Sequence, residues 1–350
     1  MKERNIALDL LRVIALFLVL WQHTSEYYYI GENASLVMEN AHAIGYLNSL
    51  SRSCIGLFVM ISGYFLLPMK TGTNEFFRRR FTRILWPWLL FCAVYAAYFI
   101  FYRGDSLTQS VLNILHIPIN WGVEVGHLWY IYMLIGLYLL IPVLSPWVKS
   151  CGKRELQLYI GLWAATTFLP YIHLAYPEVW GECAWNASPM LYYFTGFVGY
   201  LLLGSYIRRY GTASARASIA MLVVGYAATA WVFTARIPGV TNVVDAETPW
   251  NFCAINVALM AYGIFALVSK AKLKAGSRLS QLTVSMSVCS YAIYLAHIMV
   301  LNFYHDWIDP SIASILVKIP LIAICTLITT YAIVRLLAFV PRSKYWLGVD

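Results

Sequence analysis

Charge is what this chain has least of: only 12% of its 350 residues are Asp, Glu, Lys or Arg. A soluble domain of that length needs far more polar surface to face water, and a hydrophobic share of 61% rules the soluble classes out. Cysteine is scarce as well. There are seven, an odd number, without a CxxC pair or a metal-ligand spacing, which excludes a disulfide framework and a closed zinc site. Low-complexity segments, internal repeats and any polar stretch long enough for a soluble domain are also missing. A single membrane-embedded domain over 1–350 is expected, with a short tail from about 341.

What is present is apolar and aromatic. Each bilayer crossing takes roughly 20 mostly apolar residues. On that measure about ten spans are expected, near 6–28, 47–68, 84–102, 127–147, 156–175, 190–207, 217–235, 251–269, 284–304 and 314–338. Many Trp and Tyr stand near the ends of these runs, as an interfacial belt requires. The expected fold is an all-α integral membrane bundle.

The net charge of +9 invites a nucleic-acid reading, but the distribution of the cations argues against it. Lys70, Arg78, Arg79, Arg80 and Arg83 fall between the second and third spans. Lys149, Lys153 and Arg154 follow the fourth, Arg208, Arg209 and Arg216 the sixth, and Lys270, Lys272, Lys274 and Arg278 the eighth. Every second loop is basic. Read by the positive-inside rule, these loops and both termini are cytoplasmic, and no nucleic-acid partner is needed. The N-terminus imitates a signal peptide, yet Arg12 interrupts the apolar stretch and no small-residue cleavage site follows. An uncleaved first helix is expected.

Polar groups inside spans carry the chemistry. In "DLLRVIALFLVLWQHT" (9–24), Arg12 and His23 lie eleven positions apart, three turns plus about 20°, so both leave one helix face about 16 Å apart along the axis. Asp9 precedes Arg12 by three and Glu26 follows His23 by three, which gives each basic group a carboxylate on its own face. Arg12 snorkelling to Asp9 and His23 resting at the interface form the bland alternative. An arginine within a span costs roughly 2.5–3.5 kcal/mol, and a pair on one face points instead to a polar path through the bundle. A histidine beside a carboxylate also suits general-base work near neutral pH.

Further stretches join it: "LFVMISGYFLL" (57–67) with Ser62 and Gly63, "RRRFTRILWPW" (78–88), "GHLWYIYMLIGLYLLIP" (126–142) with His127, Trp129 and Tyr132, and "SYAIYLAHIMVLN" (290–302) with Tyr294 and His297. In this order, over nearly the whole chain, the set resembles the acyltransferase-3 family of membrane O-acyltransferases, and its wording is similar to the shorter stand-alone members that acetylate surface polysaccharides. The resemblance implies transfer of an acyl group, usually acetyl, from cytoplasmic acetyl-CoA to a hydroxyl of an envelope glycan or lipid-linked sugar. Transfer would occur at the outer face of a bacterial cytoplasmic membrane.

It implies His23 as the catalytic residue, either as a general base or through an acyl-histidine, with Arg12 as the second motif position on the same face. Asp9 joins Arg12 in the candidate set, and Glu26, by its spacing and not by the resemblance, is assigned to orienting the imidazole. Arg80 and Arg83, matching an RxxR element, would hold coenzyme A phosphates together with Arg79. Arginine forks suit that geometry, although topology alone also explains cations there. Ser62 and Gly63 are assigned to the acyl path or to close helix packing. His127, Trp129, Tyr132, Tyr294 and His297 are assigned to the acceptor side or to the interfacial belt. A secondary transporter or flippase is the rival class, though neither repeats nor discontinuous helices are evident in the sequence. A membrane sensor or assembly partner is the other.

Overall fold

The computed structural model describes residues 4–119, 125–180, 182–183, 186–189 and 196–349. Its helices are α1 (Ile6–Glu26), α2 (Ala41–Ser49), α3 (Cys54–Leu66), α4 (Thr73–Tyr102), α5 (Leu107–His116), α6 (Trp129–Ser150), α7 (Lys153–Thr166), α8 (Leu169–Ala175), α9 (Val198–Tyr210), α10 (Ala215–Arg236), α11 (Val243–Ala246), α12 (Ile255–Val268), α13 (Arg278–Ile308), α14 (Ile315–Leu337) and α15 (Ser343–Trp346). A two-stranded antiparallel pair, β1 (Glu182–Cys183) with β2 (Asn186–Pro189), is a minor addition to the expected helical class.

Among the described residues, eight helical segments are long and apolar enough to cross a membrane. A ninth forms if α2 and the segment Ser51–Leu66, bent by 41°, count as one span. The bend lies within the expected second span, 47–68. The bend falls at a 3-10 turn, Ser51–Ser53, which carries Arg52. The remaining expected span, 190–207, appears as the thirteen-residue α9; positions 190–195 lie outside the described residues.

Local chemistry sets the helix starts. Asn5 caps α1 by accepting the Leu8 N–H at 3.3 Å, and Ser277 caps α13 through the Ser280 N–H at 3.2 Å. The 30 residues of α4 span about 45 Å, longer than the hydrocarbon core, so the turns carrying Arg78 to Arg83 continue the helix beyond its apolar part.

Small residues set the packing, as expected where lipid provides no hydrophobic drive between helices. A Cβ on Gly63 would lie 2.1 Å from the Leu201 carbonyl oxygen, and one on Gly204 2.0 Å from that of Met60, so α3 and α9 touch backbone to backbone. α10 and α12 meet in the same way through Gly225 and Gly263. α1 packs against α3, α13 and α14, which puts its polar face inside the bundle. The tail also docks: Leu347 and Val349 are buried, and α15 packs against α4.

Candidate active site

Two groups of polar residues lie along α1. At its start, Asp9 is buried and doubly bonded by Arg4, whose Nε donates to Oδ2 at 2.7 Å and Nη2 to Oδ1 at 3.0 Å. This bond holds the Arg4 guanidinium above its usual pKa. The expected Asp9–Arg12 pair is looser, at 3.7 Å. Arg12 instead donates to Ser287 Oγ at 2.9 Å, and that hydroxyl donates to Asp9 Oδ1 at 2.6 Å. Ser287 of α13 thus joins the two charges, a role invisible in the sequence because the partners meet only after folding.

At the other end of α1, His23 Nδ1 lies 2.8 Å from Glu26 Oε2. A carboxylate only accepts, so Nδ1 carries the proton, and in the neutral ring Nε2 is then the basic atom, the arrangement a general base needs. Two further imidazoles surround this ring. His127, from the turn before α6, and His297, from α13, stand 6.2 Å and 5.4 Å from it and 5.0 Å from each other, measured between centroids. The Nε2 atoms of both are buried without a hydrogen-bond partner. His297 Nδ1 donates to the Tyr294 carbonyl at 2.6 Å.

Three cavities follow the helix. The widest, about 900 Å³, is lined at the N-terminal end of α1 by Arg4, Asp9, Arg12, Lys70, Arg79, Arg80 and Arg208, six cations and one carboxylate. A narrow cavity of about 190 Å³ continues inward and shares Arg12, Ile61, Ser62, Arg80 and Tyr138 with it; Arg83, Ser290, Tyr130 and Tyr294 also line it. A third, about 600 Å³, opens at the far end and holds His23, Glu26, Arg52, His127, Trp129 and Glu247.

The expected shared path is corrected here. Arg12 and His23 both point into the bundle, but the narrow and far cavities have no lining residue in common. Between them stands a layer of rings: Tyr130 lies 5.4 Å from Tyr294, Tyr294 5.5 Å from His127, and Tyr95 5.4 Å from His127. The Tyr294 hydroxyl donates to the His127 carbonyl and so ties the floor of one cavity to the wall of the other.

Other expected positions sort as follows. Arg79, Arg80 and Arg83 all reach the cavities, with Arg79 paired to Glu75. Ser62 lines both connected cavities while donating to the Phe58 carbonyl at 3.0 Å. Gly63 is a packing residue, because the Leu201 backbone fills the space any ligand would need. Trp129 lines the far cavity with one ring face against Phe252.

Tyr132 lines none of the three cavities: its hydroxyl donates to the Ile117 and Pro118 carbonyls and clasps the chain after α5. Tyr294 belongs to the narrow cavity. His297, at 0% exposure, packs behind His23 and lines none of the three.

Sequence reasoning missed Arg52. It is 3% exposed, lies 4.3 Å over the Trp250 ring and donates to Tyr29 Oη at 2.9 Å and Glu247 Oε1 at 3.2 Å. A buried arginine at the start of an apolar run was the available signal.

These features define a multi-span membrane protein organised around an internal imidazole–carboxylate pair and a cation-lined cavity at the opposite end. The chain belongs to the acyltransferase-3 family, whose acyltransferase-domain model matches residues 5–338. It is similar to the acyltransferase MdmB of Streptomyces mycarofaciens, 25% identical over 293 residues, 75% of this chain and 71% of that protein. No solved structure matches the chain.

Proposed function

We propose that this membrane acyltransferase takes its acyl group, acetyl by default, from acyl-CoA entering the cation-lined cavity, and delivers it to a hydroxyl of an envelope glycan or lipid-linked sugar in the far cavity. The basic loops orient the cation-lined end towards the cytoplasm of a bacterial cell, with both termini on that side of the inner membrane. The observation that carries this reading is the opposed placement, along one helix, of a polycationic cavity and a carboxylate-oriented imidazole.

In the reaction, the acceptor oxygen attacks the thioester carbonyl carbon while His23 Nε2 takes the hydroxyl proton, and Glu26 steadies the imidazolium. The C–S bond breaks, the ester forms, and the thiolate leaves as coenzyme A with the proton returned by His23. The ring layer must part for donor and acceptor to meet. Arg52, fixed by Tyr29 and Glu247, supplies a buried positive charge to the same cavity.

The test compares surface glycans by mass spectrometry in cells lacking the protein and cells expressing wild type or His23→Ala. Wild type restores O-acetylation and His23→Ala does not, at equal membrane insertion. Full acetylation by the variant would overturn the assignment.

A further inference from the structure

The wide cavity holds more cation than an RxxR element explains, and its charges differ in how they are engaged. Arg4 is committed to Asp9, and Arg79 to Glu75. Arg208 is different. Its Nη1 donates to the Tyr64 carbonyl at 3.0 Å, and its guanidinium stands 6.0 Å from the Tyr64 ring. A carbonyl and a ring face orient a guanidinium without neutralising it. Arg80, at the junction with the narrow cavity, stands likewise 6.0 Å from the Phe76 ring. Two oriented guanidiniums with no carboxylate bonded to them among the described residues thus occupy distinct places: Arg80 where the cavities join, Arg208 in the wide cavity alone.

An acyl-CoA has a matching order. Its slender acyl-pantetheine arm leads to a diphosphate, and beyond that to a ribose bearing a separate 3′-phosphate. With the arm in the narrow cavity, the diphosphate falls at the junction and the nucleotide in the wide cavity, whose volume is within the range of small-ligand sites. We propose that Arg208, contributed by α9 and aimed by the Tyr64 carbonyl, forms a subsite for the 3′-phosphate of the donor. The subsite distinguishes coenzyme A from its dephosphorylated precursor. It rests on the acyl-CoA reading above and adds a discriminating residue to it. Guanidinium–phosphate hydrogen bonds are charge-assisted and directional, which suits Arg to this task.

The experiment measures binding of acetyl-CoA and acetyl-3′-dephospho-CoA to the purified full chain in lipid nanodiscs by calorimetry, with no acceptor required. Wild type is expected to prefer acetyl-CoA by about tenfold, the size of one charge-assisted contact. In Arg208→Gln the preference falls to about one, because acetyl-CoA binds more weakly while the dephospho form is unaffected. Arg208→Lys retains part of the preference.

Equal affinity of the two ligands in wild type overturns the subsite, as does an equal loss for both in Arg208→Gln. A dependence on anionic lipid in the nanodisc, with no effect of the 3′-phosphate, assigns the cation to a lipid headgroup and also overturns it. If wild type binds neither thioester, the acyl-CoA reading itself falls.

Discussion

The rings of His23 and His297, on two helices far apart in the chain, lie 5.4 Å from centroid to centroid. His297 is wholly buried and its Nδ1 proton is committed to the Tyr294 carbonyl, so it backs the His23 ring as a fixed group. Replacing it by Ala leaves space behind His23 and frees that ring to leave Glu26. The expected result for His297→Ala is a fall in the maximal transfer rate of about tenfold or more, with donor affinity unchanged. A parallel loss of donor binding would show general misfolding instead.

Glu26 accepts the Nδ1 proton of His23 and thereby leaves Nε2 as the basic atom. Gln in its place keeps the shape but supplies no charge for the imidazolium. Glu26→Gln should lower the transfer rate by about 10²-fold or more, within the range general-base arrangements contribute. A variant as fast as wild type would remove Glu26 from the mechanism.

Arg80 and Arg83 sit on the segment of α4 that lines the inner cavities. Changing both to Gln should weaken acetyl-CoA binding by tenfold or more while membrane insertion, followed by fractionation, stays intact. Unchanged affinity would reduce the pair to topology anchors.

Gly63 offers a prediction about stability alone. An added methyl would meet the Leu201 backbone, which cannot yield as a flexible side chain does. Gly63→Ala should cost about 1–3 kcal/mol, seen as a lower melting temperature. Gly136, with nothing within 4 Å of an added Cβ, is the control: its Ala variant should melt like wild type.

Much of the site was legible because membrane chemistry is severe. In lipid a charged residue stands out against its surroundings, so Asp9, Arg12, His23 and Glu26 could be read from α1 alone, with their spacing placing them on one face. His127 and His297 were visible as motif residues. Their meeting around His23 was not, since nothing in either segment states which helix it will face. Tyr132 and Tyr294 looked like acceptor-side aromatics for the same reason, and both hydroxyls turned out to bind backbone carbonyls. Ser287 and Arg208 carry ordinary local signals, a helix serine and a cation in a basic loop, and gained their roles only from partners on other helices.

The sequence by itself determined the class, the family and the polar face of the first helix, because burial in a bilayer constrains each segment through its own composition. Tertiary structure alone decided that Arg12 and His23 line separate cavities, that Tyr294 joins the layer between them, and that Arg208 reaches the cation-lined cavity. Those outcomes depend on how closely helices approach, and that distance is set by contacts such as Gly63 on Leu201, between residues that share no local signal.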